Sequence, residues 1–222
     1  MARVTPLYET INRLINEIQP QKILNVAKVS CQEWLSRSAI PYLKENAKTL
    51  HIDYFLIREP AIGNAEEKKY RETSFSFPTR WVTFEEFTQS TLQDDYDLII
   101  LDTVHYREYA DWMFTNLPER CQGVIVIHDT LPPTEGTLLT CATRTEVSHD
   151  WAGQTYLSYH NFHQANPECT VNVDDAFVGY GIIDLRNNPE IVTDYDCTAT
   201  ADLATIRTTA ISHKDYLKNS NS

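Results

Sequence analysis

Glycine is scarce in this chain. There are six in 222 residues, and the first is Gly63. Any turn before that point has a Cβ on every residue, so it lacks the backbone freedom and close ligand approach that glycine gives. Cysteine is sparse too: the five, at 31, 121, 141, 169 and 197, are odd in number, widely spaced and form no Cys-x-x-Cys pair. That argues against a disulfide framework or a structural zinc site, and for a reducing compartment, the cytoplasm. No apolar run reaches membrane-spanning length, and Met1–Pro6 has no apolar core of the secretion-signal kind. Positive charge is in deficit, with 19 Lys and Arg against 31 Asp and Glu and a net charge of −12. A nucleic-acid backbone or an anionic membrane would repel such a surface, so neither is expected as a partner. The densest basic run, Lys68-Lys69-Tyr70-Arg71, follows Glu66-Glu67 and reads as a solvated face.

What is present is the composition of an ordinary globular chain, 42% hydrophobic and 11% aromatic. Leu7, Ile11, Leu14, Ile15 and Ile18 recur at helical spacing after Thr5 and Pro6, and Pro20 stops that helix. A strand follows at 22–27, then a turn and a helix from about Cys31 to Ala47, with the capping pattern Ser30-Cys31-Gln32-Glu33 at its start. "TLHIDYFLI" (49–57) is a second strand, and "RWVTFEEFTQSTL" reads as a short helix capped by Thr83 and Glu86. "YDLIILD" (96–102) and "GVIVIHD" (123–129) are near-continuous apolar runs, as strands buried on both faces of a parallel sheet should be, with a helix at 107–117 between them. Residues 151–165 read as a helix, and "CTVNV" with "AFVGYGIIDL" as a closing antiparallel pair. The alternation predicts a doubly wound, mostly parallel α/β sheet over residues 1–185, and a C-terminal extension over 186–222 with one weak helix at 201–211.

Ligands of open α/β sheets bind outside the carboxyl ends of the strands. There the sequence places Asn25-Val26-Ala27, then Arg58-Glu59, then Asp102-Thr103-Val104-His105, then His128-Asp129. Two carboxylates and two imidazoles at the ends of two buried strands suit general base work or a hard-cation site. Each residue alone also has a structural reading, as a helix cap or a histidine bonded to a carbonyl. His160 and His163, three apart on a predicted helix, share a face but have no acid at matching spacing, and read as a surface pair.

The stretch "YDLIILDTVHYREYADWMFTNLPERCQGVIVIHDTLPP" resembles the second half of class I S-adenosylmethionine-dependent methyltransferases, in particular their small-molecule and glycan group. "WAGQTYLSY" and "FVGYGIID" extend the resemblance, which covers about residues 10–185. It implies a Rossmann-like methyltransferase fold, S-adenosylmethionine as cofactor, and O-methyl transfer to a sugar or small polar acceptor. It further implies Asp102, His105, His128 and Asp129 as the chemical group. Asp102 and Asp129 would be ligands for Mg²⁺, in a site that two carboxylates do not complete. The cofactor would lie against Asn25, Ala27 and Lys28, with Asp53 or Glu59 holding the ribose hydroxyls. The sequence departs from the family here. Asn25 stands where an acid is expected, Ala27, Lys28 and Ser30 where glycines are, and Phe55 or Arg58 in the register of the ribose carboxylate. Lys28 could instead meet a phosphate or carboxylate, or be a plain turn lysine. A non-catalytic member of the fold, kept for assembly with protein partners or with copies of itself, is therefore the competing expectation.

Overall fold

The structure, a computed structural model, describes residues 6–28, 41–46, 48–58, 78–103, 105–132, 153–175 and 178–219. Its elements in chain order are α1 (Pro6–Ile18), β1 (Lys22–Lys28), α2 (Pro41–Asn46), β2 (His51–Ile57), β3 (Thr79–Val82), α3 (Phe84–Thr88), β4 (Tyr96–Asp102), α4 (Arg107–Asn116), β5 (Cys121–His128), α5 (Thr155–Ala165), β6 (Thr170–Asp174), β7 (Tyr180–Asp184), α6 (Leu203–Arg207), β8 (Ala210–Ser212) and α7 (His213–Asn219). The strands make one sheet in the order β3-β2-β1-β4-β5-β7-β6-β8. β1 to β5 pair in parallel, and β7 runs antiparallel to both β5 and β6. This is the doubly wound, mostly parallel sheet with an antiparallel pair expected from the sequence.

Both faces are covered, which is why the interiors of β1, β4 and β5 are apolar apart from Asn25, with their polar residues towards the strand ends. Leu7, Ile11, Leu14 and Ile15 of α1 lie with Leu43 and Tyr216 against Ile23, Leu98, Ile100 and Val124. Phe87 of α3, Met113 and Phe114 of α4, and Tyr159 and Phe162 of α5 cover Leu24, Phe55, Ile99 and Ile125 on the other side. Each fully buried side chain of this size contributes about 1.5–3 kcal/mol of burial free energy.

Two local readings differ from the sequence expectation. Residues 79–82 are a strand, β3, paired in parallel with β2 from Tyr54↔Thr79 to Ile57↔Val82, and only Phe84–Thr88 is helical. The capping box is present: Glu86 N donates to Thr83 Oγ1 and Thr83 N to Glu86 Oε2. The expected helix at 201–211 is the shorter α6 followed by β8, which pairs in parallel with β6 from Asn172↔Ala210 to Asp174↔Ser212. The β-branched Ile211 and a waiting strand edge outweigh a weak helical pattern. Of the helix expected over 31–47, Pro41–Asn46 is helical and the rest lies outside the described residues.

Candidate functional site

Ala27 of β1 is in register with Asp102 of β4, which brings the carboxyl ends of β1, β4 and β5 to one edge. β1 lies between β2 and β4, so this is the point where the winding of the sheet reverses.

Asp102, the last residue of β4, is buried. His105 is buried just beyond it, before α4 begins. His128 ends β5, and Asp129 follows at φ 60°, in the left-handed region. That conformation is uncommon for a residue with a side chain, though aspartate enters it more readily than most. The four side chains meet. His105 Nε2 is 2.5 Å from Asp129 Oδ2 and 3.8 Å from Asp102 Oδ1. His128 Nδ1 is 3.3 Å from Asp102 Oδ1 and 3.6 Å from Asp129 Oδ2.

The charges hold one another. Burial alone would lower both imidazoles, but the carboxylates outweigh it: His128 is pushed up to about 9 by Asp129 and Asp102, and His105 is raised mainly by Asp129. Burial likewise would raise both acids. Instead His128 and His105 keep Asp102 well below the usual carboxylate range, and His105 and His128 keep Asp129 below it. Lys28, at the end of β1, is close enough to act on Asp102, His105 and His128.

Two contacts that the sequence did not announce fix this group. Gln154 N donates to the His105 carbonyl (2.9 Å), so the start of α5 is seated on the loop after β4. Gly153 permits it: at φ +55°, a Cβ there would stand 2.3 Å from His105 O. The second contact is on the other side, where Thr130 Oγ1 donates to Asn172 Oδ1 of β6 and Leu131 N to Val178 O. Both pin the turn that carries Asp129.

The expected cofactor residues are placed unevenly. Ala27 and Lys28 lie at the carboxyl edge. Asn25 is buried within β1, between Tyr54 and Ile100 in register. Asp53 is not brought to the edge. It pairs in register with Leu24, four residues before the end of β2, and accepts from Tyr96 OH (2.7 Å) and Arg80 Nη2 (3.2 Å), with His51 Nε2 at 3.0 Å. Glu59 lies outside the described residues. A carboxylate does stand near that end of the sheet, on Glu86 of the capping box that opens α3. Arg58, just past β2, donates through Nη2 to Glu86 Oε2 at 2.9 Å. An acid in the first turn of the helix after β3 was the available signal.

Asp102, His128 and Asp129 each offer a donor atom, all within 4.8 Å of one another. One imidazole nitrogen and two carboxylates are a chemically sensible set for a divalent cation, so the residues fit one.

Among the described residues no helix is long and apolar enough to cross a membrane. No family model and no curated protein matches the chain. Among solved structures it is similar to a putative O-methyltransferase from Nostoc punctiforme, at 14% identity and a TM-score of 0.45, covering 82% of this chain and 56% of that one. The chain thus spans little more than half the length of that protein. A putative caffeoyl-CoA O-methyltransferase from Staphylococcus aureus is similar at 14% identity and a TM-score of 0.48, over 80% of this chain and 82% of that one. An S-adenosylhomocysteine-bound methyltransferase from Podospora anserina is similar at 18% identity and a TM-score of 0.47, over 80% and 76%.

Proposed function

We propose that the protein is an S-adenosylmethionine-dependent O-methyltransferase acting on a hydroxyl of a sugar or other small polar acceptor, in the cytoplasm. One observation carries the reading: Asp102, His105, His128 and Asp129 converge, buried, at the carboxyl edge where the sheet reverses its winding. A buried edge with both acids and imidazoles can hold a hydroxyl and receive its proton, which is the protein's share of methyl transfer to oxygen.

When bound, the cofactor supplies an electrophilic methyl on sulfonium, and a divalent cation supplies positive charge that favours the acceptor's alkoxide form. His105 would take the acceptor proton on Nδ1, its Nε2 facing Asp129, which steadies the imidazolium that results. Asp102, His128 and Asp129 would hold the cation. Ala27 and Lys28, at the carboxyl end of β1, would line the cofactor side. Glu86, oriented by Arg58 and by its own helix cap, takes the part of the ribose carboxylate.

Isothermal titration with S-adenosylhomocysteine, with and without Mg²⁺, tests the reading. Micromolar binding that weakens in Glu86→Gln is expected, because glutamine keeps the capping box and loses the charge. Absence of heat and of thermal shift at millimolar ligand would instead leave a non-catalytic fold with protein partners or copies of itself.

A further inference from the structure

Asp102 and Asp129 alone are a donor pair for a hard cation such as Mg²⁺. The third donor changes its chemistry. We infer that the Asp102–His128–Asp129 group selects a first-row transition ion of the Fe²⁺, Co²⁺ or Zn²⁺ kind over Mg²⁺, with His128 Nδ1 as the selecting donor. The inference rests on the cation-binding part of the proposed function, and not on methyl transfer.

Mg²⁺ is a hard ion that takes oxygen donors in a near-ideal octahedron and keeps much of its water, so an imidazole gives it little. First-row transition ions bind imidazole well, and their affinity for such mixed sites rises from Mn²⁺ through Fe²⁺ and Co²⁺ toward Cu²⁺. His128 is not a bystander to the acids. Its Nδ1 is 3.3 Å from Asp102 Oδ1 and 3.6 Å from Asp129 Oδ2. With bonds of about 2.1 Å, donors on one ion stand about 3.0 Å apart in an octahedron and about 3.4 Å in a tetrahedron. The imidazole is therefore at coordination spacing from Asp102 and a few tenths of an ångström beyond it from Asp129, the three donor atoms all lying within 4.8 Å of one another, and its backbone closes β5 in register with Tyr180 of β7.

The remaining histidine has a different post. His105 Nε2 sits 2.5 Å from Asp129 Oδ2, the distance of a partner that orients a ligating carboxylate from outside. Site burial adds to the selection. The carboxylates are nearly sealed and His128 is 13% exposed, so a bound ion sheds most of its water shell, which Mg²⁺ resists more than the transition ions do.

The test uses the full chain, stripped with a chelator and titrated calorimetrically with Co²⁺ and with Mg²⁺. Co²⁺ should bind at least about tenfold tighter. In His128→Asp, an all-oxygen set, that ratio should collapse toward unity as Mg²⁺ gains. Equal affinities in the parent chain, an unchanged ratio in His128→Asp, or no binding of either ion overturns the inference. Should His128→Asp fail to fold, electron spin-echo spectroscopy of the unaltered chain with Mn²⁺ decides. Modulation from a directly bound nitrogen supports His128 as ligand, and its absence refutes it. S-adenosylhomocysteine binding, measured separately on the stripped chain, reports on the methyltransferase reading whatever the ions do.

Discussion

The hydroxyl of Tyr96 reaches from β4 across β1 and donates to Asp53 of β2 at 2.7 Å. Both residues are buried, and Arg80 and His51 complete the surroundings of the carboxylate. Burial, with the Asp53 carboxylate as acceptor, raises the Tyr96 phenol far above its ordinary value, so it stays a donor at any working pH. Removing the hydroxyl leaves a buried carboxylate one bond short. Tyr96→Phe should therefore lower stability by about 1.5–3 kcal/mol, measured by urea unfolding. Asp53→Asn should lower the melting temperature and leave S-adenosylhomocysteine affinity as it was. A loss of affinity without a loss of stability would return Asp53 to the cofactor edge.

Gly181 faces the ring of Tyr159, where an added Cβ would stand 2.4 Å from Cζ. That ring is itself fixed, its hydroxyl donating to Val171 O at 2.7 Å and to Ile182 O at 3.1 Å. Gly181→Ala should cost about 1–3 kcal/mol by overpacking, read as an earlier denaturation midpoint. An unchanged midpoint would mean that α5 can shift off the sheet without penalty.

Asp129 tests backbone and charge separately. Asparagine also tolerates the left-handed region, so Asp129→Asn should keep the turn and lose only the buried charge that faces His105 and His128, lowering stability by about 3–5 kcal/mol and weakening cation binding tenfold or more. Asp129→Val loses the same charge and strains the turn as well. The two variants should therefore bind cations about equally poorly and differ in melting temperature. Equal melting temperatures would show that φ at this position relaxes.

The pH dependence of α5 follows from its histidines. Burial holds His160 below its ordinary value, and burial with the neighbouring His160 charge does the same to His163. Unfolded, both titrate near 6.5. As pH falls through that value the unfolded chain takes up protons that the folded helix refuses, so stability is complete above it and declines below it. His163→Gln should flatten the decline between pH 7 and 5 in unfolding free energy. A parallel decline in the variant would assign the effect elsewhere.

The strands of the sheet's centre were legible because their apolar runs admit no other environment, and the site residues at the ends of β4 and β5 could be named from the same runs. The edges were not legible. Thr79–Val82 and Ala210–Ser212 are four and three residues long, too short for a period to show, and both owe their form to a neighbouring strand. Glu86 was visible only as a cap, since its second contact, with Arg58, lies 28 residues away in sequence. Asp53 and Glu59 stood as alternatives for the ribose carboxylate because register is not written in a single strand. Only the pairing with β1 tells which end of β2 Asp53 occupies.

The eighth strand has a consequence for how the protein is made. β6 leaves the ribosome well before its outer neighbour β8, and the residues between them include α6, whose Ile206 packs with Leu131, Tyr156 and Leu157. Until residues 210–212 emerge, the free amide edge of β6 is open to pairing with another nascent chain. Tyr216 is then the closure, its ring edge-on to Tyr180 at 6.2 Å and under the guanidinium of Arg13. The interval of exposure is set by translation speed over that stretch, so slowing synthesis after β6 should lower the yield of soluble protein while the finished sheet stays as stable as before.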